Sequence, residues 1–461
     1  MKKKSMMALL LTMMVGSMAL SACGTSQSAT SEKKDDAAKE TEAVTEAETE
    51  AAETEVAETE AAEKPESFEL GATVFESEDS PSGYMVHFAY QPEEEVEKVS
   101  VTGPFIYINP DQDISEESNQ YTPYDYQNGY YPSNCAPGTF TWGYTEEMTK
   151  NESGVYEAEF PITSGSFAYS YVVVGSDGEE TTIDDPANPS PAKDNPNSDI
   201  ATGDIKHSIV YGKFDEEKQS NSPNLDFVLP NEDNYGTFSY VEYKGHRADA
   251  EDIGIYLPAG YDADREEGYK VVYLSHGGGG NETDWFAMGH ADNIVANLGL
   301  DYIVVSMDNN SYEWDFEAIE DNVLNYIIPY MEENYNVSTE AKDRAFAGLS
   351  MGCMTTFHMY YDHPTEFGYF GGFSGPDLSA VKETEGIENA VLFFTVGTCD
   401  MASSRVMENG EGQHIKYEDY VEYLKTATKE NVIDGGYVPG SHDWFTWSQS
   451  LATFLTDVAF K

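Results

Sequence analysis

The chain has 461 residues, room for two or three domains, and its 40% hydrophobic and 13% aromatic content suffices to fill their cores. Eighty-four acidic against 25 basic residues leave a formal charge of −59. Such a surface repels nucleic acid and anionic lipid head groups, which leaves neutral substrates as the natural partners.

The first 23 residues read as a signal rather than as part of a fold. Lys2, Lys3 and Lys4 form a basic start, and Met6 to Leu20 is apolar but short for a membrane span. The segment ends Leu20-Ser21-Ala22-Cys23, which resembles the lipobox of bacterial lipoproteins. That resemblance implies acylation of Cys23 and a location on the outer face of a bacterial cell membrane, with the membrane touched only through the lipid. Residues 24–66 then repeat Ala, Glu and Thr with almost no large apolar side chain, so they are expected to be an extended acidic stalk. Of the remaining cysteines, Cys135, Cys353 and Cys399, an odd number makes no disulfide framework. Free buried thiols are expected, with a Cys353–Cys399 bridge as the alternative.

From Ser67 the pattern changes to short alternating runs: Tyr84 to Tyr90, Val96 to Gly103, Gly154 to Phe160 and Ser166 to Val174. Such runs, broken by Gly, Asp and Pro, predict an all-β sandwich over 67–211. The order V-S-V-T-G, N-E-S-G-V-Y-E-A-E-F, Y-S-Y-V-V-V, D-D-P-A-N-P resembles the Ig-like early-set domain that precedes many bacterial esterases and is similar to the family 48 carbohydrate-binding module. Residues 106–147 form an insertion rich in aromatics: Tyr121, Tyr124, Tyr126, Tyr130, Tyr131, Trp142 and Tyr144. Flat aromatic faces suit stacking on sugar rings, and packing between two domains is the competing reading. Asp194, Asn197 and Asp199 match no calcium-loop spacing, and no metal or cofactor is expected.

Residues 212–235 are polar with scattered proline and read as a linker. Over 236–461 strands alternate with helices: strands at 253–258, 269–274, 301–307, 344–349, 370–374, 391–397 and 432–438, and helices at 316–334 and 352–361. Alternation of this kind predicts a mostly parallel sheet with helices on both faces.

Within this half, Gly348-Leu349-Ser350-Met351-Gly352 has the G-x-S-x-G spacing of a nucleophile elbow. There a strand turns at once into a helix and thrusts the serine outward. The pattern also arises by chance in a chain with 38 glycines, so its surroundings decide. A serine of this kind needs an acid and then a histidine later in the chain. Asp400 follows the strand Val391 to Gly397, with Asp377 as its rival. His442 lies in a late loop, with His290, His358 and His414 as rivals. A third need is a set of backbone donors for an oxyanion. Ser275-His276-Gly277-Gly278-Gly279-Gly280 follows a strand, so Gly277 or Gly278 together with Met351 are the candidates.

The series H-G-G-G-G-N-E-T-D-W, E-D-N-V-L-N-Y-I-I-P-Y-M-E-E-N-Y-N-V-S, A-G-L-S-M-G, G-T-C-D and G-S-H-D-W resembles the esterase D / feruloyl-esterase-like α/β-hydrolases, carbohydrate esterase family 1 among them. The resemblance covers residues 236–461. It implies Ser350 as nucleophile, His442 as base and Asp400 as acid. Cys353 departs from it, standing where the family often has another glycine, and crowding of the helix against the sheet is expected there. The resemblance, the anchor and the front domain together imply a serine esterase acting on feruloyl or acetyl groups of xylan, with Trp285 and Trp444 as pocket candidates. Trp447 is a further candidate, more readily placed in the core. Acyl transfer by the same fold is one alternative, and a carbohydrate-binding surface lipoprotein with an inactive hydrolase domain is another.

Overall fold

The computed structural model describes residues 64–461, apart from 66, 113–118, 134–142, 190–207, 249, 404–405, 409–410 and 429–430. The expected signal, Cys23, nearly all of the acidic stalk, Cys135, Trp142, Asp194, Asn197 and Asp199 lie outside the described residues.

The front half consists of β1 (Gly71–Glu76), β2 (Tyr84–Tyr90), β3 (Val96–Gly103), β4 (Tyr107–Ile108), β5 (Tyr131–Pro132), β6 (Tyr144–Glu147), β7 (Thr149–Lys150), β8 (Tyr156–Ile162), β9 (Gly165–Gly175), β10 (Glu180–Ile183) and β11 (Ser208–Gly212). They form one sheet in the order β1-β2-β8-β7 and a second in the order β10-β9-β3-β6, with β11 also paired to β9. Alternation along each strand sends one set of side chains inward. Phe88 and Phe160 of the first sheet thus meet Tyr169 of the second and Phe105, with Phe88 and Tyr169 rings 4.8 Å apart. The tyrosine-rich insertion divides its side chains. Tyr107, Tyr126 and Tyr130 bury one another, Tyr131 points into the other half of the molecule, and Tyr124 stays exposed.

The stretch read as a linker is hydrogen-bonded to both halves. Gln219 is fully buried: its amide group donates to the carbonyl oxygens of Ser82 and Lys213, and its side-chain oxygen accepts from the Ser164 N–H. Further on, Asn293 and Asn297 donate to the carbonyls of Phe227, Val228 and Leu229. Gln219, Asn293 and Asn297 thus serve backbone groups rather than solvent.

The second half is an eight-stranded sheet built from β12 (Thr237–Tyr243), β13 (Glu251–Leu257), β14 (Lys270–Ser275), β15 (Tyr302–Met307), β16 (Arg344–Leu349), β17 (Tyr369–Phe373), β18 (Val391–Gly397) and β21 (Val432–Val438), with a small ribbon β19 (Val406–Glu408) and β20 (Glu411–Gln413) to one side. The order is β12-β13-β15-β14-β16-β17-β18-β21, and every pair from β15 to β21 is parallel. Successive side chains feed opposite cores. Val271 and Tyr273 face one layer and Val272 and Leu274 the other, so the strand is apolar throughout. Helices α1 (Asp284–Ala287), α2 (Ala291–Asn297), α3 (Phe316–Asn322), α4 (Ile328–Asn334), α5 (Met351–Asp362), α6 (Tyr417–Ala427) and α7 (Trp444–Thr453) cover the two faces. The predicted helix 316–334 is present as α3 and α4 joined by a π turn, Val323–Ile327. Pro329 is the second residue of α4, and a wider turn before it accommodates a residue that lacks an N–H.

The chain leaves β14 toward β15 on one side and later returns to β16 on the other. The carboxyl ends of β14 and β16 therefore flank the point where the winding reverses, the place where open α/β sheets form a crevice.

Candidate active site

The elbow forms because three glycines give way to it. Ser350 has φ 52° and ψ −116°, a conformation that costs an L-residue energy and persists only when its surroundings impose it. A Cβ at Gly348 would lie 2.3 Å from the Gly352 carbonyl oxygen, and one at Gly352 would lie 2.3 Å from that of Ser275. A Cβ at Gly375 would come within 2.0 Å of the Ser350 carbonyl oxygen. The strand, the turn and the helix α5 can close on each other only with hydrogen at these positions. Crowding by Cys353 is relieved from the opposite side: its sulfur sits 3.0 Å from where a Cβ of Gly372 would be. Cys353 is completely buried, and burial pushes its thiol well above the usual range, so it is inert. Cys353 and Cys399 are both free.

Three expected site residues, from three separate loops, meet at this crevice. His442 Nε2 lies 2.9 Å from Ser350 Oγ, and His442 Nδ1 lies 3.0 Å from Asp400 Oδ1. The Ala402 N–H also donates to Asp400 Oδ1 at 2.8 Å, which orients the fully buried carboxylate. Burial acts to lower the His442 imidazole, but Asp400 beside it prevails and the net direction is upward. Trp447 packs edge-on against the ring at 5.1 Å. The neighbouring Asp443 is occupied elsewhere: it caps α7 by accepting from Thr446 N–H and takes a 2.5 Å hydrogen bond from Ser441 Oγ.

The rival residues pair with one another or turn away. Asp377 Oδ2 lies 3.2 Å from His358 Nε2. His290 is buried against Tyr211 and held neutral, pushed down to about 4 by burial. His414 is exposed.

The glycine loop lies against the elbow. A Cβ at Gly277 would stand 3.4 Å from Ser350 Cβ, and one at Gly278 would stand 2.7 Å from the Met351 sulfur. Residues with no motif of their own pin the loop. The backbone N–H of Asn309 donates to His276 Nε2, and Asn309 Nδ2 donates to Ser275 Oγ. Asn310 Nδ2 donates to the Gly280 carbonyl, and Trp314 Nε1 donates to Asn310 Oδ1. His276 Nδ1 lies 2.6 Å from the Gly277 carbonyl oxygen; burial acts to lower this imidazole, but Asp308 and Asp284 beside it prevail and the net direction is upward. The only forewarning of these residues is their position just after β15, beside the crevice.

Trp285 requires a correction. It is fully buried, and its indole N–H donates to the Ser275 carbonyl at 3.0 Å, so it supports the floor of the loop and offers no face to a ligand. Trp444 is half-buried, edge-on to both Trp285 and Trp447, and keeps part of its ring in solvent. Trp447 is in the core.

The front half reaches this site directly. The Tyr131 hydroxyl shares a 2.6 Å hydrogen bond with Thr398 Oγ1 and lies 3.4 Å from Cys399 Sγ, next to Asp400. Phe167 of β9 packs on Phe445 of α7, ring centres 5.2 Å apart, three residues beyond His442.

Residues 249–458 match the sequence family described as Putative esterase. The stretch holds the glycine loop, Ser350, Asp400 and His442. Over 217 residues, 43% of this chain, the sequence is 32% identical to an endo-1,4-beta-xylanase/feruloyl esterase of Xylanibacter ruminicola, and the match covers 28% of that protein. An endo-1,4-beta-xylanase Y of Acetivibrio thermocellus is 29% identical over 27% of this chain and 13% of its own length. The chain thus spans well under a third of either relative. Among solved structures, a CE1 ferulic acid esterase of Anaeromyces mucronatus in complex with ferulic acid is similar at TM-score 0.42 and 21% identity, over 51% of this chain and 95% of its own.

Proposed function

We propose that the chain is a serine carboxylic-ester hydrolase that removes feruloyl or acetyl groups from plant cell-wall polysaccharide, xylan above all. The observation that carries this reading is the imidazole of His442 set between Ser350 Oγ and Asp400 Oδ1, at 2.9 and 3.0 Å. A serine hydroxyl is too weak an acid to attack unaided. His442 takes its proton as Oγ adds to the ester carbonyl, and Asp400 stabilises the imidazolium. The N–H groups of Met351 and of Gly277 or Gly278 receive the oxyanion, each donor worth about 3 kcal/mol. His442 then returns the proton to the departing sugar oxygen, and water repeats the sequence on the acyl-enzyme. No metal or cofactor takes part in these steps.

The name of the Xylanibacter relative supports feruloyl esters as the substrate class, both relatives' names support xylan as the polymer, and the strongly acidic composition favours an uncharged acyl group. Trp444, partly open to solvent, is assigned to the pocket. Residues 67–211 are assigned as an Ig-like early-set domain. Cys23 is assigned as the acylated residue that holds the enzyme on the outer face of a bacterial membrane through the stalk 24–66.

Incubation with a fluorophosphonate, followed by peptide mass spectrometry, is expected to find the label on Ser350. Arabinoxylan is expected to release ferulate or acetate. A label elsewhere overturns the mechanism, and cleavage of a simple aryl ester without release from arabinoxylan overturns the substrate. For the anchor, a Cys23→Ala chain is expected in the culture medium, with the parent in the detergent phase. Equal partitioning of the two removes the lipid assignment.

A further inference from the structure

We infer that Glu320, His358 and Asp362 form a binding site for a first-row divalent cation, with zinc the best fit. The three residues each offer one donor atom, and these atoms all lie within 4.8 Å of one another. His358 and Asp362 are four apart on α5 and so project from one face of that helix. Glu320 comes from α3, packed alongside.

Three observations point to an ion rather than to a solvated acidic surface. Glu320 is not a surface carboxylate: its side chain is 9% exposed, and its Oε1 is buried with no hydrogen-bond partner among the described residues. A buried anionic oxygen in that condition calls for a cation. His358 is oriented as a ligand. Its Nε2 lies 3.2 Å from Asp377 Oδ2, and Asp377 is itself fixed by the N–H and hydroxyl of Ser379. A carboxylate on one ring nitrogen places the proton there and leaves the other nitrogen as a lone-pair donor, the arrangement common behind metal-bound histidines. That other nitrogen, Nδ1, faces Asp362 Oδ2 at 3.9 Å. Finally, Phe316 stacks on the imidazole at 4.2 Å and restricts its rotation.

The charged neighbours are compatible with this arrangement. Lys382 pairs with the far oxygen of Asp362, Oδ1, leaving Oδ2 for the ion. His363 Nε2 sits 3.3 Å from the second oxygen of Glu320, leaving Oε1. One nitrogen and two carboxylate oxygens suit zinc or manganese, whereas calcium prefers oxygen alone. Tetrahedral zinc at its usual bond lengths sets ligand atoms about 3.4 Å apart, so small side-chain adjustments close the site. The ion would fasten α5, which begins directly after Ser350, to α3 and to the loop holding Asp377. It lies outside the Ser350–His442–Asp400 group, and its role is structural.

The full chain, stripped with a chelator and desalted, is reloaded separately with Zn²⁺, Mn²⁺ or Ca²⁺. Retained metal is counted by mass spectrometry of the elements, and Tm is measured. The expected result is on the order of one zinc per chain with a raised Tm, and both lost in Glu320→Gln and in Asp362→Asn. Asp362 lies at the rim, so its variant is expected to keep the parental circular dichroism. Asp377→Asn is expected to weaken zinc affinity by roughly 10- to 100-fold. Zinc retention unchanged in both ligand variants, absence of retained zinc in the parent, or tighter binding of calcium than of zinc overturns the proposal.

Discussion

The two sides of the crevice are built differently. The nucleophile side, Ser350 with the loop 276–280, is fixed by backbone: β14 and β16 are adjacent central strands, and glycines let them and α5 touch. The acid–base side, Asp400 and His442, sits on loops beyond β18 and β21 at the end of the sheet, braced from outside by Tyr131 and Phe167 of the front half. One side is set by what is missing from its side chains. The other depends on side chains supplied from more than 200 residues away. Precision at the first side is local and sterically enforced, and at the second it is borrowed.

The comparison is broken most severely at the nucleophile. Ser350→Ala is expected to lower kcat by about 10⁶-fold and abolish phosphonate labelling, with Tm unchanged. Asp400→Asn, on the braced side, is expected to cost about 10⁴-fold, and it carries a pH signature. The folded His442 imidazole is raised above its ordinary 6.5, so kcat/KM of the parent is lost as pH falls through a midpoint above that value. Removing the carboxylate leaves burial dominant, and the midpoint moves down in a kcat/KM profile. The linked stability has the opposite slope. The His442–Asp400 attraction contributes fully below the unfolded imidazole value and is lost as pH rises through the folded one, as Tm against pH is expected to record.

Gly352→Ala tests the steric side. Its Cβ would lie 2.3 Å from the Ser275 carbonyl oxygen, and a loss of about 3 kcal/mol in denaturant unfolding is expected. Tyr131→Phe tests the borrowed side and should be mildest. Losing its hydroxyl bonds is expected to cost about 1 kcal/mol of stability and at most about tenfold in kcat, with KM unchanged. Equal kcat in parent and Tyr131→Phe would mean that the acid loop holds itself.

The same contrast explains what could be read from sequence. The strands at 270–275, 302–307, 344–349 and 391–397 are apolar on both faces, so their runs are conspicuous and their ends fall within two residues of expectation. The elbow and the glycine loop are legible because sterics write glycine into the sequence. Edge strands β1, β6, β7 and β12 are half-solvated and mixed in composition, and no run announced them. Gln219 and Asn297 look like linker and surface residues until the carbonyls they satisfy are known. Trp285 was a pocket candidate, but an indole N–H can serve a buried carbonyl equally well. Tyr131 belonged to a run of tyrosines whose partners lie far along the chain, and sequence alone does not say which of them faces inward.

The Phe167–Phe445 contact has a practical corollary. A shortened version starting near residue 236 would carry every group assigned to catalysis, yet it would expose Phe445 and strip Thr398 and Cys399 of their cover. Anyone transplanting the hydrolytic half onto another scaffold must either bring the front sheets along or repaint that seam with polar residues, because the cut face would otherwise be sticky and the acid loop unsupported.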